Sequence, residues 1–289
     1  MIKPSPQIKF FAGFWTMIRQ PDGNTATEWS SAQKIQEAKA AGFDAMGGGA
    51  DATLAASVQA AGMEYICYVD ANDSVYKTKL EAAAACHPAR INVQLWDHDT
   101  PPRVATKTWI KMQPIAKKLK LEIDLEVHRD TCTETPEKTY AIADLYKQAT
   151  GKNCRFCFDY SHFAVVKHIY PPYAPRLMDR PALLRPVRQI HLRPFNGHHC
   201  QVPATDGRGN PSSEIKPYLE FVDALFAAWL KGATGGEVLY VCPENGPDDG
   251  PNSGAGYGLS CFPNVWQDAI WLRREYAKLW KKNLAAWRR

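Results

Sequence analysis

The chain has 289 residues, 45% of them hydrophobic and 22% charged, which is ordinary for a globular protein with a large buried core. No segment approaches the roughly 18 consecutive apolar residues of a membrane-spanning helix, and the N-terminal MIKPSPQIKF lacks the apolar region of a secretory signal. The formal net charge is +5, with many of the cations near the C-terminus. We therefore expect a cytoplasmic protein that does not enter a membrane.

The eight cysteines are scattered along the chain, which favours reduced thiols over a disulfide framework. Cys154 and Cys157 form a C-x-x-C pair, but no second pair follows at zinc-finger spacing. This pattern predicts structural cysteines rather than a metal or redox site.

Strand-like and helix-like segments alternate from one end of the chain to the other. The helix-like segments are amphipathic, and TPEKTYAIADLYKQATG has the Thr, Pro and Glu of a helix start and a closing Gly. Eight segments have the pattern of strands: 8–15, 43–48, 64–70, 91–98, 121–128, 155–160, 187–193 and 237–244.

This alternation predicts an α/β fold, a (β/α)8 TIM barrel, with residues 1–289 as a single domain. A doubly wound open sheet is the alternative, but the segment GGGAD does not have the G-x-G-x-x-G spacing of a dinucleotide site. The Gly-rich region 245–265 is a candidate lid or subunit contact.

The segment LEIDLEVHRDT alternates aliphatic and ionisable residues with a period of two, so the two types lie on opposite faces of a strand. In a barrel the aliphatic face packs on helices and the other face lines the interior. We expect Glu122 or Asp124 to pair with Arg155 deep in the barrel. Segment 91–98 repeats the pattern, with four residues predicted to point inward: Asn92, Gln94, Trp96 and His98.

Polar residues at the C-terminal ends of the last four strands point inward by the same parity. They are Glu126, Asp159, His191 and Glu244. Active sites of these barrels lie at this face, and three converging carboxylates would repel one another without a cation. Oxygen ligands with one imidazole suit Mn²⁺, Mg²⁺, Co²⁺ or Zn²⁺. The pattern therefore predicts a divalent-metal site.

These residues resemble the xylose-isomerase-like TIM barrel superfamily of sugar isomerases and epimerases, which also includes inosose dehydratases and AP endonucleases. In the ketose 3-epimerase branch, the Mn²⁺ ligands match LEVH, FDYSH, QIHLR and CPENG, which contain the four residues above. The resemblance implies that His162 contacts the substrate. The Arg that epimerases carry six residues after the strand-seven His is Gly197 here, which leaves Arg193 or Arg208 as replacements.

The resemblance implies a carbohydrate isomerase or epimerase that abstracts a proton from a keto-sugar and forms a metal-stabilised enediolate, with Mn²⁺ as the expected ion. Glu126 and Glu244 would transfer the proton. The segment HRDT after Glu126 differs from the corresponding segment of the epimerases. We therefore expect its first residue, His128, to contact a different substrate. Trp15 and Trp96 are candidates for stacking on a sugar ring. The expected partner is a small carbohydrate, with no nucleic acid and no membrane, and a homo-oligomer is compatible with the family.

Three other functions remain open. A lyase or dehydratase acting by β-elimination on a keto-sugar or 3-keto-glycoside would use the same site, and the nearby histidines would supply acids: His98, His128, His198 and His199. An AP-endonuclease-like zinc nuclease would need additional ligands, and the loop has Asp206 and Arg208 where that family has an Asp and a His. The third is a barrel that has lost catalysis and serves as a binding or scaffold protein; the four intact residues count against it, because unneeded buried carboxylates are destabilising.

The basic C-terminal segment is the feature that most favours nucleic acid. Its apolar residues, however, recur at mostly three- and four-residue spacing, which predicts the inner stripe of a helix closing the barrel. They are Trp266, Ala269, Leu272, Tyr276, Leu279 and Trp280.

Overall fold

A computed structural model describes residues 4–247 and 264–287. Eight parallel strands form a closed barrel in chain order, each paired with the next and the last with the first. The predicted (β/α)8 barrel is confirmed. The strands are β1 Gln7–Gly13, β2 Ala45–Gly48, β3 Glu64–Ala71, β4 Arg90–Leu95, β5 Ile123–Glu126, β6 Phe156–Asp159, β7 Gln189–Leu192 and β8 Val238–Pro243.

Helices surround the barrel, and their ends follow local capping chemistry. The helix over 136–150 begins after Thr135, whose side chain accepts a hydrogen bond from the Lys138 amide, and Pro136 occupies its first position. It ends at Gly151, whose φ of +70° is readily adopted only by glycine. The helices are α1 Ser31–Ala40, α2 Ala52–Ala60, α3 Tyr76–Ala85, α4 Pro102–Lys118, α5 Pro136–Thr150, α6 Tyr160–Val166, α7 Ala174–Leu177, α8 Ile215–Gly232 and α9 Val265–Trp287.

One predicted strand ends earlier in the structure than its pattern indicates. The strand expected over 91–98 ends at Leu95, because Trp96 adopts a φ of +59° and turns the chain out of the sheet. His98 consequently lies on an exposed loop rather than inside the barrel. Most of the Gly-rich region 245–265 falls within 248–263, outside the described residues.

The C-terminal helix α9 buries the apolar stripe that its spacing predicts. Trp266, Leu272, Tyr276 and Trp280 are each at most 5% exposed, and the helix packs against α8 and β8. The stripe is therefore part of the core. No helix in the described ranges is long and apolar enough to cross a membrane. Cys154 and Cys157 are buried free thiols.

Charged residues close the N-terminal end of the barrel interior. Arg90 on β4 binds Asp124 on β5 through two hydrogen bonds of 2.6 and 2.7 Å, and both side chains are buried. Arg155 forms an ion pair with Glu122 and lies 3.7 Å from Asp124, so its predicted role is structural as expected. The stronger partner of Asp124 is Arg90, which the sequence pattern does not single out.

Replacement of Arg90 by Met should lower the free energy of unfolding by about 3–5 kcal/mol, because it leaves the buried Asp124 carboxylate without its bidentate partner. The double variant Arg90→Met/Asp124→Leu should be less destabilised than Arg90→Met, since it removes both buried charges. Urea denaturation at neutral pH measures both. The exposed Lys278→Gln serves as the control and should leave stability nearly unchanged. A double variant less stable than the single one would contradict this account.

Candidate metal centre

Three of the predicted ligands meet at the C-terminal end of the barrel. The ligand atoms of Glu126, His191 and Glu244 all lie within 4.8 Å of one another. His191 Nδ1 is 2.9 Å from Glu126 Oε1 and 3.3 Å from Glu244 Oε2. All three side chains are buried, so this is a compact group of two carboxylates and an imidazole shielded from solvent.

Neighbouring strands and one loop hold this group in place. Glu126 Oε2 accepts a hydrogen bond of 2.7 Å from the Asn92 side chain, which points inward from β4. The hydroxyl of Thr133, in the loop after β5, donates to the Glu126 carbonyl. Asn92 was predicted to point inward but not to support a ligand. Its position one strand away, with the same parity, is the signal that would have identified it.

The surroundings of His191 fit a cation. Its Nδ1 lies within 2.9 Å of a carboxylate oxygen, yet the angles are not those of a hydrogen bond, and the atom has no hydrogen-bond partner among the described residues. Two carboxylates and an imidazole at such separations resemble ligands arranged around a shared ion. The Tyr68 ring, 6.0 Å from the imidazole, covers it edge-on.

Burial and neighbouring charges shift the pKa values of Glu126 and His191 in opposite directions. Burial raises the pKa of Glu126, but His191, His128 and Asn92 outweigh it and bring the pKa to about 2. Burial lowers the pKa of His191, whereas Cys157 and the two carboxylates raise it well above its usual range. The carboxylates thus attract positive charge to this point, and a divalent ion would take the place of the imidazole proton.

Asp159, the fourth predicted ligand, lies against a cationic side chain. Its Oδ2 accepts from both Nε (3.1 Å) and Nη2 of Arg193, and its Oδ1 accepts from the Ser161 amide at 2.9 Å. Arg193 Nη2 also donates to Glu244 Oε2 at 3.1 Å. Arg193, only 1% exposed, therefore joins Asp159 to the group of three. Metal binding by Asp159 remains a prediction.

This pairing explains the charge state of both residues. Burial raises the pKa of Asp159, but Arg193 and His162 hold it well below its usual range. Burial lowers the pKa of Arg193, whereas Asp159 and Glu244 raise it above its usual range. The carboxylate and the guanidinium are therefore both charged at neutral pH.

Three further predicted residues surround this centre. His162 Nε2 lies 3.3 Å from Asp159 Oδ2, and its ring is 4.5 Å from the half-buried ring of His128. Burial lowers the pKa of His162 to about 4, so the ring is neutral at physiological pH. The Trp15 ring lies 5.8 Å from the Arg193 guanidinium, in the range of a cation–π contact.

Two other candidates lie elsewhere. Arg208 is on an exposed turn, where its amide donates to Asp206, and the structure does not bring it to the centre. Trp96 lines a separate cavity beside the centre.

Gly197 occupies the position at which the resemblance would place an arginine. A Cβ atom there would lie 2.8 Å from the Ile169 carbonyl oxygen, so the backbone leaves no room for a side chain.

The described residues contain one group of three or more metal-ligating side chains, the one above. The further groups that three zinc ions would need are not present within residues 4–247 and 264–287. The geometry thus suits one ion rather than the trinuclear site of an AP endonuclease.

No family model and no curated protein matches the chain. Solved structures do. A D-allulose 3-epimerase from Methylomonas sp. is 15% identical, with a TM-score of 0.58 over 98% of this chain and 100% of that one. A xylose isomerase-like TIM barrel protein from Mycobacterium smegmatis, in complex with magnesium, is 12% identical, with a TM-score of 0.55 over 94% and 97%.

A probable 3-DHS dehydratase from Bacillus anthracis is also similar, at 12% identity and a TM-score of 0.50 over 94% of this chain and 98% of that one. At these identities the likeness concerns the fold. The chain therefore has the fold of the xylose isomerase-like TIM barrels, which confirms the resemblance at that level.

Purified protein incubated with Mn²⁺ should bind about one ion per chain at this centre. His191→Ala and Glu244→Gln should each weaken binding by more than about a hundredfold, since loss of even an outer partner of a ligand costs about 10–100-fold. Elemental analysis after dialysis and isothermal titration calorimetry measure the effect. Glu137→Gln on α5, the same change at an ion pair on the outside of the barrel, is the matched control.

The variant Asp159→Asn tests whether Asp159 is a fourth metal ligand or only a partner of Arg193. Because Arg193 already occupies one carboxylate oxygen and the Ser161 amide the other, we expect a smaller loss of Mn²⁺ affinity than in Glu244→Gln. An equal loss would show that Asp159 is a full ligand. Unchanged binding in His191→Ala would rule out this centre as the metal site.

Proposed function

We propose that the protein is a divalent-metal-dependent isomerase or epimerase that acts on a keto-sugar by moving a proton between carbon atoms or faces. The observation that carries the proposal is the group formed by Glu126, His191 and Glu244, whose ligand atoms lie within 4.8 Å of one another and are buried. Two carboxylates and one imidazole at these separations suit one divalent ion. Its location at the C-terminal mouth is that of active sites in this fold.

In this proposal Glu126, His191 and Glu244 hold the ion, with Asp159 as the predicted fourth ligand. The ion would polarise the substrate carbonyl and so acidify the neighbouring C–H group. Mn²⁺ is the proposed ion, and Mg²⁺, Co²⁺ or Zn²⁺ also suit oxygen ligands with one imidazole. The magnesium bound by a similar structure supports a divalent ion without selecting one.

The two glutamates differ in a way that assigns their roles. Both oxygens of Glu126 face other groups, since Oε1 lies against His191 and Oε2 accepts from Asn92. Glu244 engages Arg193 and His191 through Oε2, and no described residue donates a hydrogen bond to its Oε1. Glu244 also retains 9% exposure towards the mouth. Glu244 is therefore the better base for the substrate proton, and Glu126 the more rigid partner that receives or returns it.

Arg193 and His162 would bind substrate oxygens. The guanidinium is fixed between two carboxylates and so has a defined orientation, which favours a substrate hydroxyl or developing oxyanion in one position. Neutral His162 can donate one hydrogen bond and accept another. Trp15 would cover the sugar face above Arg193.

A lyase or dehydratase acting by β-elimination is the second candidate, and His128 is the observation that favours it. Its Nδ1 lies 2.7 Å from the Arg129 carbonyl, which directs Nε2 away from the backbone, and its ring contacts His162. A half-buried imidazole at this position is suited to protonate a leaving oxygen. Of the other histidines proposed as acids, His98 and His198 bind groups outside the centre.

Incubation of the Mn²⁺-loaded protein with keto-sugars in D₂O should place deuterium on the carbon next to the carbonyl. The panel is D-fructose, D-allulose, D-tagatose and 3-keto-glucose. Glu244→Gln should reduce the rate of exchange by about 10²–10⁴-fold, because it removes the base. NMR and mass spectrometry follow the label. Glu137→Gln should exchange at the wild-type rate.

The same reaction separates the two functions. An epimerase or isomerase yields a product of unchanged mass apart from the label, whereas a lyase yields an unsaturated sugar and a released water or alcohol. If elimination occurs, His128→Ala should slow it more than it slows exchange. If no substrate in the panel exchanges deuterium in the metal-loaded wild type, the proposal of proton transfer fails.

A further inference from the structure

A cavity of ≈ 490 Å³ lies at the C-terminal end of the barrel, and Gln94 in its lining is on the strand next to that of Glu126. Its volume lies within the roughly 300–1,000 Å³ of small-molecule sites. The residues that matter for its chemistry come from the ends of β3 and β4 and from the loops after β4 and β5: Asp70, Gln94, Trp96, Asp97, Asp130 and Thr131.

The strands place this cavity beside the metal centre. Asn92 pairs with Asp124 and Val93 with Leu125, so Gln94, which points inward like Asn92, lies level with Glu126 on the neighbouring strand. Asn92 is the residue that holds Glu126. Asp70 is paired with Gln94 in the register of β3 and β4. Neighbouring strands lie about 5 Å apart, so Asp70 is two strands, or about 10 Å, from the strand that carries Glu126, a distance that a second sugar ring can span.

A chain of hydrogen bonds joins the other wall to the same centre. The Thr131 hydroxyl is 2.9 Å from that of Thr133, which donates to the carbonyl of Glu126. The backbone of Glu126, a candidate metal ligand, thus helps to position the loop that carries Thr131 in the cavity wall. A molecule that spans cavity and centre would contact two surfaces fixed relative to each other.

Trp96 is held in the cavity wall in a conformation that tryptophan rarely adopts. Its φ of +59° is unusual for a bulky side chain, and such outliers persist where the surrounding structure enforces them, often at functional sites. The indole N–H donates to the Thr108 hydroxyl on α4 at 3.0 Å, and that hydroxyl is in turn bonded to Asp73. The anchored indole presents an aromatic surface of the kind that sugar rings pack on.

The polar groups of the cavity favour a neutral ligand rich in hydroxyl groups. Three aspartates face one lysine, Lys79, so a phosphate or carboxylate would be repelled. Asp97 and Asp130 are each engaged by a neighbour, Thr100 and His98. The side chains of Asp70 and Gln94 make no hydrogen bond or ion pair with any described residue. An ionised carboxylate can only accept hydrogen bonds, and the hydroxyl groups of a sugar are suitable donors to it.

From this geometry we propose that the cavity binds a second sugar unit, so that the substrate is a keto-glycoside or keto-disaccharide rather than a free monosaccharide. This inference rests on the proposed function, because the reacting ring lies at the metal centre. The second ring packs on Trp96 and donates hydroxyl hydrogen bonds to Asp70, while Gln94 contributes an amide.

The test compares the binding of matched ligands to the Mn²⁺-loaded protein by isothermal titration calorimetry. The probes are 3-keto-glucose and the 3-keto derivatives of maltose, cellobiose and lactose. At least one disaccharide should bind about tenfold more tightly than 3-keto-glucose, the effect of one or two hydrogen bonds. In Asp70→Ala and Gln94→Leu this advantage should fall to about threefold or less. Gln113→Leu, the same change near the opposite end of the barrel, should keep it.

Equal or weaker binding of every disaccharide, or an advantage that survives in both variants, would overturn the second subsite. Deuterium exchange distinguishes this failure from that of the proposed function. Exchange with 3-keto-glucose but no disaccharide preference leaves the proposed function intact and removes the subsite. A disaccharide preference that depends on Asp70 and Gln94, without exchange, supports the subsite and overturns the proton-transfer proposal.

Discussion

Compensation of buried negative charge governs the C-terminal half of the barrel interior. Glu126, Asp159 and Glu244 are at most 9% exposed, and a buried carboxylate without a partner is strongly unfavourable. Arg193 neutralises one charge from its position between Asp159 and Glu244. Burial lowers the pKa of His191, but the neighbouring carboxylates and Cys157 raise it well above its usual range, and a divalent ion would take the place of the imidazole proton. The same buried carboxylates therefore influence both the stability of the fold and the proposed affinity for a metal ion.

The opposite end of the barrel uses the same residue types for a different purpose. Arg90 and Asp124 pair with bidentate geometry, and the neighbouring Arg155 satisfies Glu122, so acid and base are matched within the protein. Among the described residues, these two pairs leave no uncompensated charge there for an ion or a substrate to meet. The contrast shows why position along the strand, more than the type of residue, separates a structural ion pair from a candidate active site in this fold.

The sequence predicted the barrel because strands with period-two alternation recur at regular spacing between helices. It also predicted the inward direction of Glu126, His191 and Glu244, because parity along a strand is independent of tertiary packing. It did not predict that Arg193 would face Asp159 or that Asn92 would hold Glu126. These contacts depend on the stagger between neighbouring strands, which a single strand does not encode. Trp96 departed from parity because one backbone dihedral ended its strand early.

The position of the guanidinium in the chain affects which substrates can enter the site. At Gly197, where ketose 3-epimerases carry an arginine, the Ile169 carbonyl leaves no space for a side chain. The guanidinium comes instead from Arg193, immediately after β7, and is fixed at the barrel axis by two carboxylates. If the proposed keto-glycoside is the substrate, its second ring would occupy the cavity lined by Asp70 and Gln94, whose lining does not include Arg193.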